Sequence, residues 1–296
     1  MIYAKQYLGR LGNMMFQYAS LYALSKKTDL YLNVPIIKEF NTQENITGSK
    51  KIETEKKIIL PVINGNYINY AKLNLNNLNQ TVVTGSPSHL ENIYNFQEYR
   101  DDLINIFTLP NYSLDQYTFF LNSRNRYENV VVNDIDKDDL VISLRLGDFI
   151  HPPIKYNPPH RLLTYDYFST ILSNIKFNRL FITSDEPLHP FVNEFRHLNP
   201  IIVQNDNPIK TMSLVRRFKK IAISQSTYSW WCGYLSNASE IYYPIPKSGP
   251  WSIKTEFSVN ALYLREHTDR YFYVHEKSGE IYNWKDAPGR RDYDDF

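Results

Sequence analysis

A chain of 296 residues, 43% hydrophobic, can bury a full globular core and has room for two domains of roughly 150 residues each. Its 33 basic and 31 acidic residues leave a net charge of +2, which excludes nucleic-acid binding through an overall basic field. One cysteine, Cys232, excludes an intramolecular disulfide framework, and no apolar run approaches the ~18 residues of a membrane-spanning helix. The chain opens on Ile2-Tyr3-Ala4 without the basic and apolar segments of a secretory leader, so a soluble protein of a reducing, cytoplasmic compartment is expected. The local cations Arg216, Arg217, Lys219 and Lys220 read as a solvated helix end, or as a contact for a membrane or acidic partner. The 24 tyrosines suit stacking on sugar rings, and they equally suit a compositional bias toward Asn, Ile, Tyr and Lys.

In chain order, residues 2–7 read as a short strand. From Met14 the apolar positions Met15, Tyr18, Ala19 and Tyr22 follow helical spacing, which predicts a helix ending near Lys26-Lys27. "LYLNV" at 30–34 is the next strand, stopped by Pro35, so the chain begins with the strand–helix–strand unit of a parallel sheet. Residues 41–80 are polar and Asn-rich and read as loops with short strands. A helix is predicted from Asn95 to Phe107, and "ENVVVNDIDKDD" reads as a strand-and-turn linker with a domain boundary near 135. Beyond it, "LVISL", "RLFIT", "KIAIS" and "EIYY" are apolar runs each followed at once by small polar residues. Helical candidates lie between them at Asp166–Ile175, Leu188–Leu198, Ile209–Phe218 and Tyr228–Leu235. Such alternation predicts a doubly wound α/β domain over 136–296 with a C-terminal tail, and ligands of such sheets sit at the carboxyl ends of the strands.

The polar residues fall where that rule puts a site. Arg145 and Asp148 follow "LVISL", and a planar, permanently charged guanidinium there suits a phosphate, or else pairs with Asp148 to pin the loop. Ser224, Ser226 and Thr227 stand between "KIAI" and a helix, an arrangement that holds an anion or simply caps the helix. Asp185 and Glu186 follow a third strand, where a carboxylate can accept hydrogen bonds from a nucleoside or cap the next helix. Near the N-terminus, "GRLGN" combines Gly9 and Gly12 with Asn13 at a helix start, although its spacing is neither a dinucleotide fingerprint nor a P-loop. Asp134-x-Asp136 has the form of a metal-binding D-x-D, yet it precedes a strand and reads as a solvated turn. His151, His160, His189 and His197 show no metal-ligand spacing, so no metal site is expected.

Together these segments resemble the family 11 glycosyltransferases, the α-1,2-fucosyltransferases. Members read G-R-L-G-N-Q-M-F-Q-Y-A where this chain has "GRLGNMMFQYA", and H-x-R-R-G-D-Y where it has "SLRLGDF". Their S-D-D is similar to "SDE", and N-S-T-F-S-W-W-x-A-Y-L is similar to "QSTYSWWCGYL", followed by Pro244 and Trp251; order and spacing match across residues 7–251. The resemblance implies a GT-B fold, two Rossmann-like α/β domains facing a central cleft, with acceptor binding in 1–135 and donor binding in 136–296. It also implies inverting, metal-independent transfer of L-fucose from GDP-β-L-fucose to a sugar 2-hydroxyl of a glycan acceptor. Residue by residue, it implies Arg145 on the donor's β-phosphate, Gly12 and Asn13 facing the diphosphate, Ser226 and Thr227 at its other end, and Asp185 near the nucleoside. Asp148 is the first candidate for general base, with a structural loop carboxylate as the alternative. The chain departs from the pattern at Ser143 for His, Leu146 for the second Arg and Gln225 for Asn. These departures leave open another GDP-deoxyhexose donor, or a non-catalytic carbohydrate-binding protein.

Overall fold

The computed structural model describes residues 2–4, 6–7, 9–40, 42, 45–46, 57–59, 81–83, 93–123, 126–150, 162–204, 207–246 and 268–287. They fall into two compact units, the described residues up to Thr108 and those from Leu109 onward. Most of the Asn-rich stretch 41–80, and Trp251, lie outside the described residues.

In the first unit, β1 (Ile2–Tyr3), β2 (Leu32–Asn33), β3 (Asn45–Ile46), β4 (Lys57–Ile59) and β5 (Thr81–Val83) pair in the order β3-β2-β1-β5-β4. All neighbours run parallel except β3, which is antiparallel to β2. The crossover from β1 to β2 is α1 (Leu11–Thr28), so the predicted strand–helix–strand unit is present. It begins at Leu11 rather than Met14, because Leu11 is already buried and Gly9, at φ 80°, turns the chain into the first turn. It ends at Asp29, which adopts the left-handed conformation at φ 55° just beyond Lys26 and Lys27, cations suited to a helix C-terminus. Aromatic residues lock α1 to the segment after β5: Phe16 lies 5.9 Å from Phe96 and Tyr18 lies 5.8 Å from Phe107, ring centre to ring centre. Tyr22 Oη donates to Asp102 Oδ2 at 2.8 Å. The helix expected over 95–107 is α2 (Arg100–Ile106), preceded by 3-10 turns at Ile93–Asn95 and Gln97–Tyr99.

The second unit is built on a nine-stranded sheet in the order β14-β13-β12-β11-β8-β9-β10-β6-β7. Its strands are β6 (Thr118–Asn122), β7 (Tyr127–Val130), β8 (Leu140–Leu144), β9 (Leu180–Ser184), β10 (Ile201–Gln204), β11 (Lys220–Ile223), β12 (Glu240–Ile245), β13 (Tyr271–His275) and β14 (Ile281–Asn283). From β10 to β13 every neighbouring pair is parallel. Counted from β8 along the chain, that block has the order 3-2-1-4-5-6 of the doubly wound dinucleotide-binding sheet, and its strand order reverses between β8 and β11. Antiparallel strands flank the block on both sides. Residues 118–130, ahead of the boundary expected near 135, supply β6 and β7, while the expected tail supplies β13 and β14.

The helices follow the predicted alternation: α3 (Gly147–Ile150) and α4 (Tyr165–Asn174) after β8, a 3-10 helix at Pro190–Leu198 after β9, α5 (Pro208–Val215) after β10 and α6 (Thr227–Tyr234) after β11. The two faces of β8 separate by strand alternation. Leu140, Ile142 and Leu144 pack with Tyr167, Phe168 and Ile171 of α4 and with Val192 and Phe195 of the 3-10 helix. Ser143 points the other way, to Ser229 of α6. Gly233 lets α6 lie close on the sheet, since a Cβ there would come 3.2 Å from Ile241. Trp230, Trp231 and Tyr234 fill the space under it, Trp230 stacking on Tyr234 at 4.6 Å, so both tryptophans serve packing.

Two buried polar groups pair across elements and tie the sheet to its surroundings. Tyr167, fully buried on α4, donates to the carbonyls of Ile223 and Tyr242 at 3.0 and 2.9 Å and so ties the helix to the end of β11 and the middle of β12. Burial pushes its phenol well above the ordinary tyrosine range. At the amino ends of the strands, the fully buried Asp139 receives Arg179 Nη2 at 2.5 Å and Nε at 3.0 Å. Cys232 is fully buried in α6, and burial pushes its thiol up to about 12.

Tyr167→Phe removes the hydroxyl donor that these two strand carbonyls share, so unfolding in urea should show a loss of about 2 kcal/mol with an unchanged slope. Cys232 should resist a thiol-specific disulfide reagent at neutral pH in the native protein and react fully once the chain is unfolded.

Candidate functional site

Three adjacent parallel strands end side by side in the second unit. Leu144 of β8 pairs in register with Ser184 of β9, and Ser143 with Ile223 of β11. One step farther along, Arg145, Asp185 and Ser224 therefore meet. Arg145 Nη1 lies 2.6 Å from Asp185 Oδ2, with both side chains about a quarter exposed (20% and 26%). Asp185 Oδ1 accepts from the backbone N–H of Leu146 at 2.8 Å. The Arg145 N–H donates to Ser224 Oγ at 3.1 Å, and the guanidinium lies 6.0 Å from the Phe149 ring centre. Arg145 is thus anchored at its backbone by β11 and at its tip by β9. Asp185 is neither left facing outward nor used as a helix cap: the 3-10 helix after β9 takes His189 as its N-cap. Asp185 is thus a partner that pins Arg145.

The β11–α6 junction stands directly beside this pair. Ser226 is the N-cap of α6, but its side chain makes no capping bond, so the plain capping role expected as the alternative for this serine is not the one it plays. Thr227 is the first helical residue. The backbone N–H groups that open a helix carry partial positive charge and favour an anion. Gln225, between Ser224 and Ser226, is 4% exposed, and neither Oε1 nor Nε2 of its amide has a hydrogen-bond partner. A buried amide left unpaired costs about 1–3 kcal/mol, and a bound polar group relieves that cost. In the sequence Gln225 stood out only as a departure from the family's Asn; its isolation depends on what surrounds it in space.

The other two departures have structural roles. Ser143 shares a buried hydroxyl network with Ser229 and Ser224, at 3.0 Å in each step, knitting β8, β11 and α6. Leu146, where the family has a second arginine, is fully buried in the core under α4. Asp148 belongs to α3, and its side chain lies outside the described residues. Gly12 and Asn13 occupy the first turn of α1 in the first unit, with Gly12 buried and Asn13 half-buried. A Cβ on Gly9 would come 2.5 Å from Asn13 Nδ2, so Gly9 is the glycine that this side chain requires. Nearby Tyr7, unremarked in the sequence, carries a buried hydroxyl without a hydrogen-bond partner. Burial first, and Tyr18 second, push its phenol far up.

The remaining sequence candidates are absorbed by the scaffold. Asp134 pairs with Arg179 at 3.3 Å, and Asp136 Oδ1 accepts from the Asp138 N–H at 2.8 Å, so the D-x-D organises a turn. Of the cation cluster, Lys219 and Lys220 donate to the carbonyls of Asn237 and Lys176, and Arg217 to that of Tyr112, so these three tie together neighbouring loops. Among the described residues no group of three or more His, Cys, Asp and Glu side chains could hold a metal ion, and no helix is long and apolar enough to cross a membrane.

Sheet order and polar cluster together define an α/β protein whose candidate site stands at a topological switch point. The chain matches the family model for glycosyl transferase family 11 over residues 2–267 of 296, and it belongs to that family. It is a glycosyltransferase, a class that takes a nucleotide-sugar donor and a glycan acceptor. No curated protein and no solved structure gives a match to it. The matched span ends just before β13 and β14, so the outer hairpin of the sheet lies beyond it.

Gln225→Met replaces the isolated amide by an apolar chain of similar length. The ligand-free protein should keep or raise its melting temperature, whereas a loss of about 1 kcal/mol or more would show the amide to be bonded in the folded protein.

Proposed function

We propose that the protein transfers L-fucose from GDP-β-L-fucose to the 2-hydroxyl of a galactoside on a glycan, with inversion and without a metal. The observation that carries this reading is the guanidinium of Arg145, anchored at the switch point beside the N-terminus of α6. In the proposed step the acceptor oxygen forms a bond to the anomeric carbon as the bond to the diphosphate oxygen breaks. The acceptor proton passes to a base, for which Asp148 is the candidate, and GDP departs with added negative charge. Arg145 and the N–H groups around Ser226 and Thr227 stabilise that charge where it develops. The unpaired amide of Gln225 supports a polar ligand at the same junction. The reading includes the two-domain GT-B arrangement and, on the resemblance alone, assigns Gly12 and Asn13 to the donor diphosphate.

Leu146 and Ser143 favour a second reading, a transferase for another GDP-deoxyhexose or another nucleotide-sugar, or a non-catalytic carbohydrate binder. Both positions, polar or cationic in the family pattern, are buried in packing here.

A thermal-shift panel of GDP, UDP, CDP and dTDP separates these readings. GDP at 100 times its dissociation constant should stabilise by about 2.7 kcal/mol, and stabilisation by none of the four would favour the binder. With GDP-fucose and lactose as probes, Arg145→Ala should lower turnover by roughly 10²–10³, or about 3–4 kcal/mol. Turnover within about threefold of the unmodified protein would sink the assignment of Arg145.

A further inference from the structure

We propose that Asp185 is a positioning residue that aims Arg145 at the β-phosphate of a nucleoside diphosphate, rather than a contact to the nucleoside. The inference rests on the reading of this junction as a diphosphate site. It is carried by three contacts that converge on one turn. Oδ2 of Asp185 holds Arg145 Nη1 at 2.6 Å, Oδ1 holds the Leu146 N–H at 2.8 Å, and a Cβ on Gly147 would stand 2.3 Å from Oδ2. Gly147 therefore has no side chain because the carboxylate occupies that space. Arg145, Leu146 and Gly147 form the turn between β8 and α3, and Asp185 grips two of them and packs on the third.

A free arginine side chain samples many rotamers, and ordering it on a phosphate costs side-chain entropy. Asp185 removes much of that freedom before the ligand arrives. The guanidinium carries five N–H donors in a planar fork, and Asp185 fixes the direction of that fork through Nη1. Each carboxylate oxygen of Asp185 already accepts from the turn, and its charge is spent on Arg145, which makes it a poor acceptor for a base or ribose. The Ser224 Oγ bond to the Arg145 N–H completes the clamp from the other side. The contacts make a definite demand on selectivity: loss of Asp185 should weaken what the second phosphate contributes and leave the nucleoside's share intact.

The test compares GDP and GMP affinities by titration calorimetry on the full chain. The unmodified protein should prefer GDP, and Asp185→Asn should reduce that preference roughly tenfold, the scale of one charge-assisted hydrogen bond, with GMP affinity within about twofold. In an Arg145→Ala background the same substitution should have no further effect on GDP, whereas a merely structural aspartate would weaken both proteins alike. Gly147→Ala, which keeps both charges and displaces only the carboxylate, should reproduce the selective loss and serves as the test if Asp185→Asn does not fold. Equal weakening of GDP and GMP, or an undiminished preference for GDP in both variants, would overturn the positioning role. An unmodified protein without any preference for GDP over GMP would instead overturn the diphosphate reading on which it rests.

Discussion

The register of β8 between β11 and β9 is the constraint on which the rest of this site depends. Leu144 lies opposite Ser184, and Ser143 opposite Ile223, so the three strands stop together. Parallel strands joined by crossovers bring residues 39 or 79 positions apart in the chain into hydrogen-bond contact, as at Leu146–Asp185 and Arg145–Ser224. A slip of one residue in either pairing would send these side chains to the opposite face. The site is therefore a product of sheet register before it is a product of any loop.

Register is itself secured by polar devices at both ends of the strands. At the carboxyl end, the hydroxyls of Ser143, Ser229 and Ser224 join β8, β11 and α6, and Tyr167 bonds from the other face to the carbonyls of Ile223, which ends β11, and Tyr242 of β12. At the amino end, Asp139 receives Arg179 and accepts the backbone N–H of Asp136 at 2.8 Å, which fixes the turn that leads into β8. A charge buried this completely is tolerated only because it is paired and hydrogen-bonded. Apolar packing then fills the space between these polar anchors, with Trp230, Trp231 and Tyr234 on one face and Tyr167, Phe168 and Phe195 on the other.

Much of this was legible in the sequence. Continuous apolar runs such as "LVISL" and "KIAI" signal strands covered on both faces, and each ends where small polar residues begin. The helices between them were legible from periodicity, as α4 and α6 show. What periodicity did not reveal is informative. β10 was hidden because "IIVQ" follows directly on a helix, and β13 because the aromatic "YFYVH" stands beyond the last recognised crossover. Both strands are stabilised by neighbours distant in the chain, a property that no local window contains. The placement of Leu146 and Ser143 was equally out of reach, since a missing cation and a missing imidazole look like lost function until their burial is seen.

The sequence by itself determined the kinds of residue available at the strand ends, the glycine loop at the start of α1, the alternation of strands and helices, and the family. Those follow from local periodicity, turn chemistry and motif order, which are written along the chain. Only the tertiary structure decided the partners: that Arg145 pairs with Asp185, that Gly147 admits that carboxylate, and that Gln225 is buried without a bond. Pairing and isolation are properties of distance in space, and in a doubly wound sheet it is the strand order, not the chain order, that sets those distances.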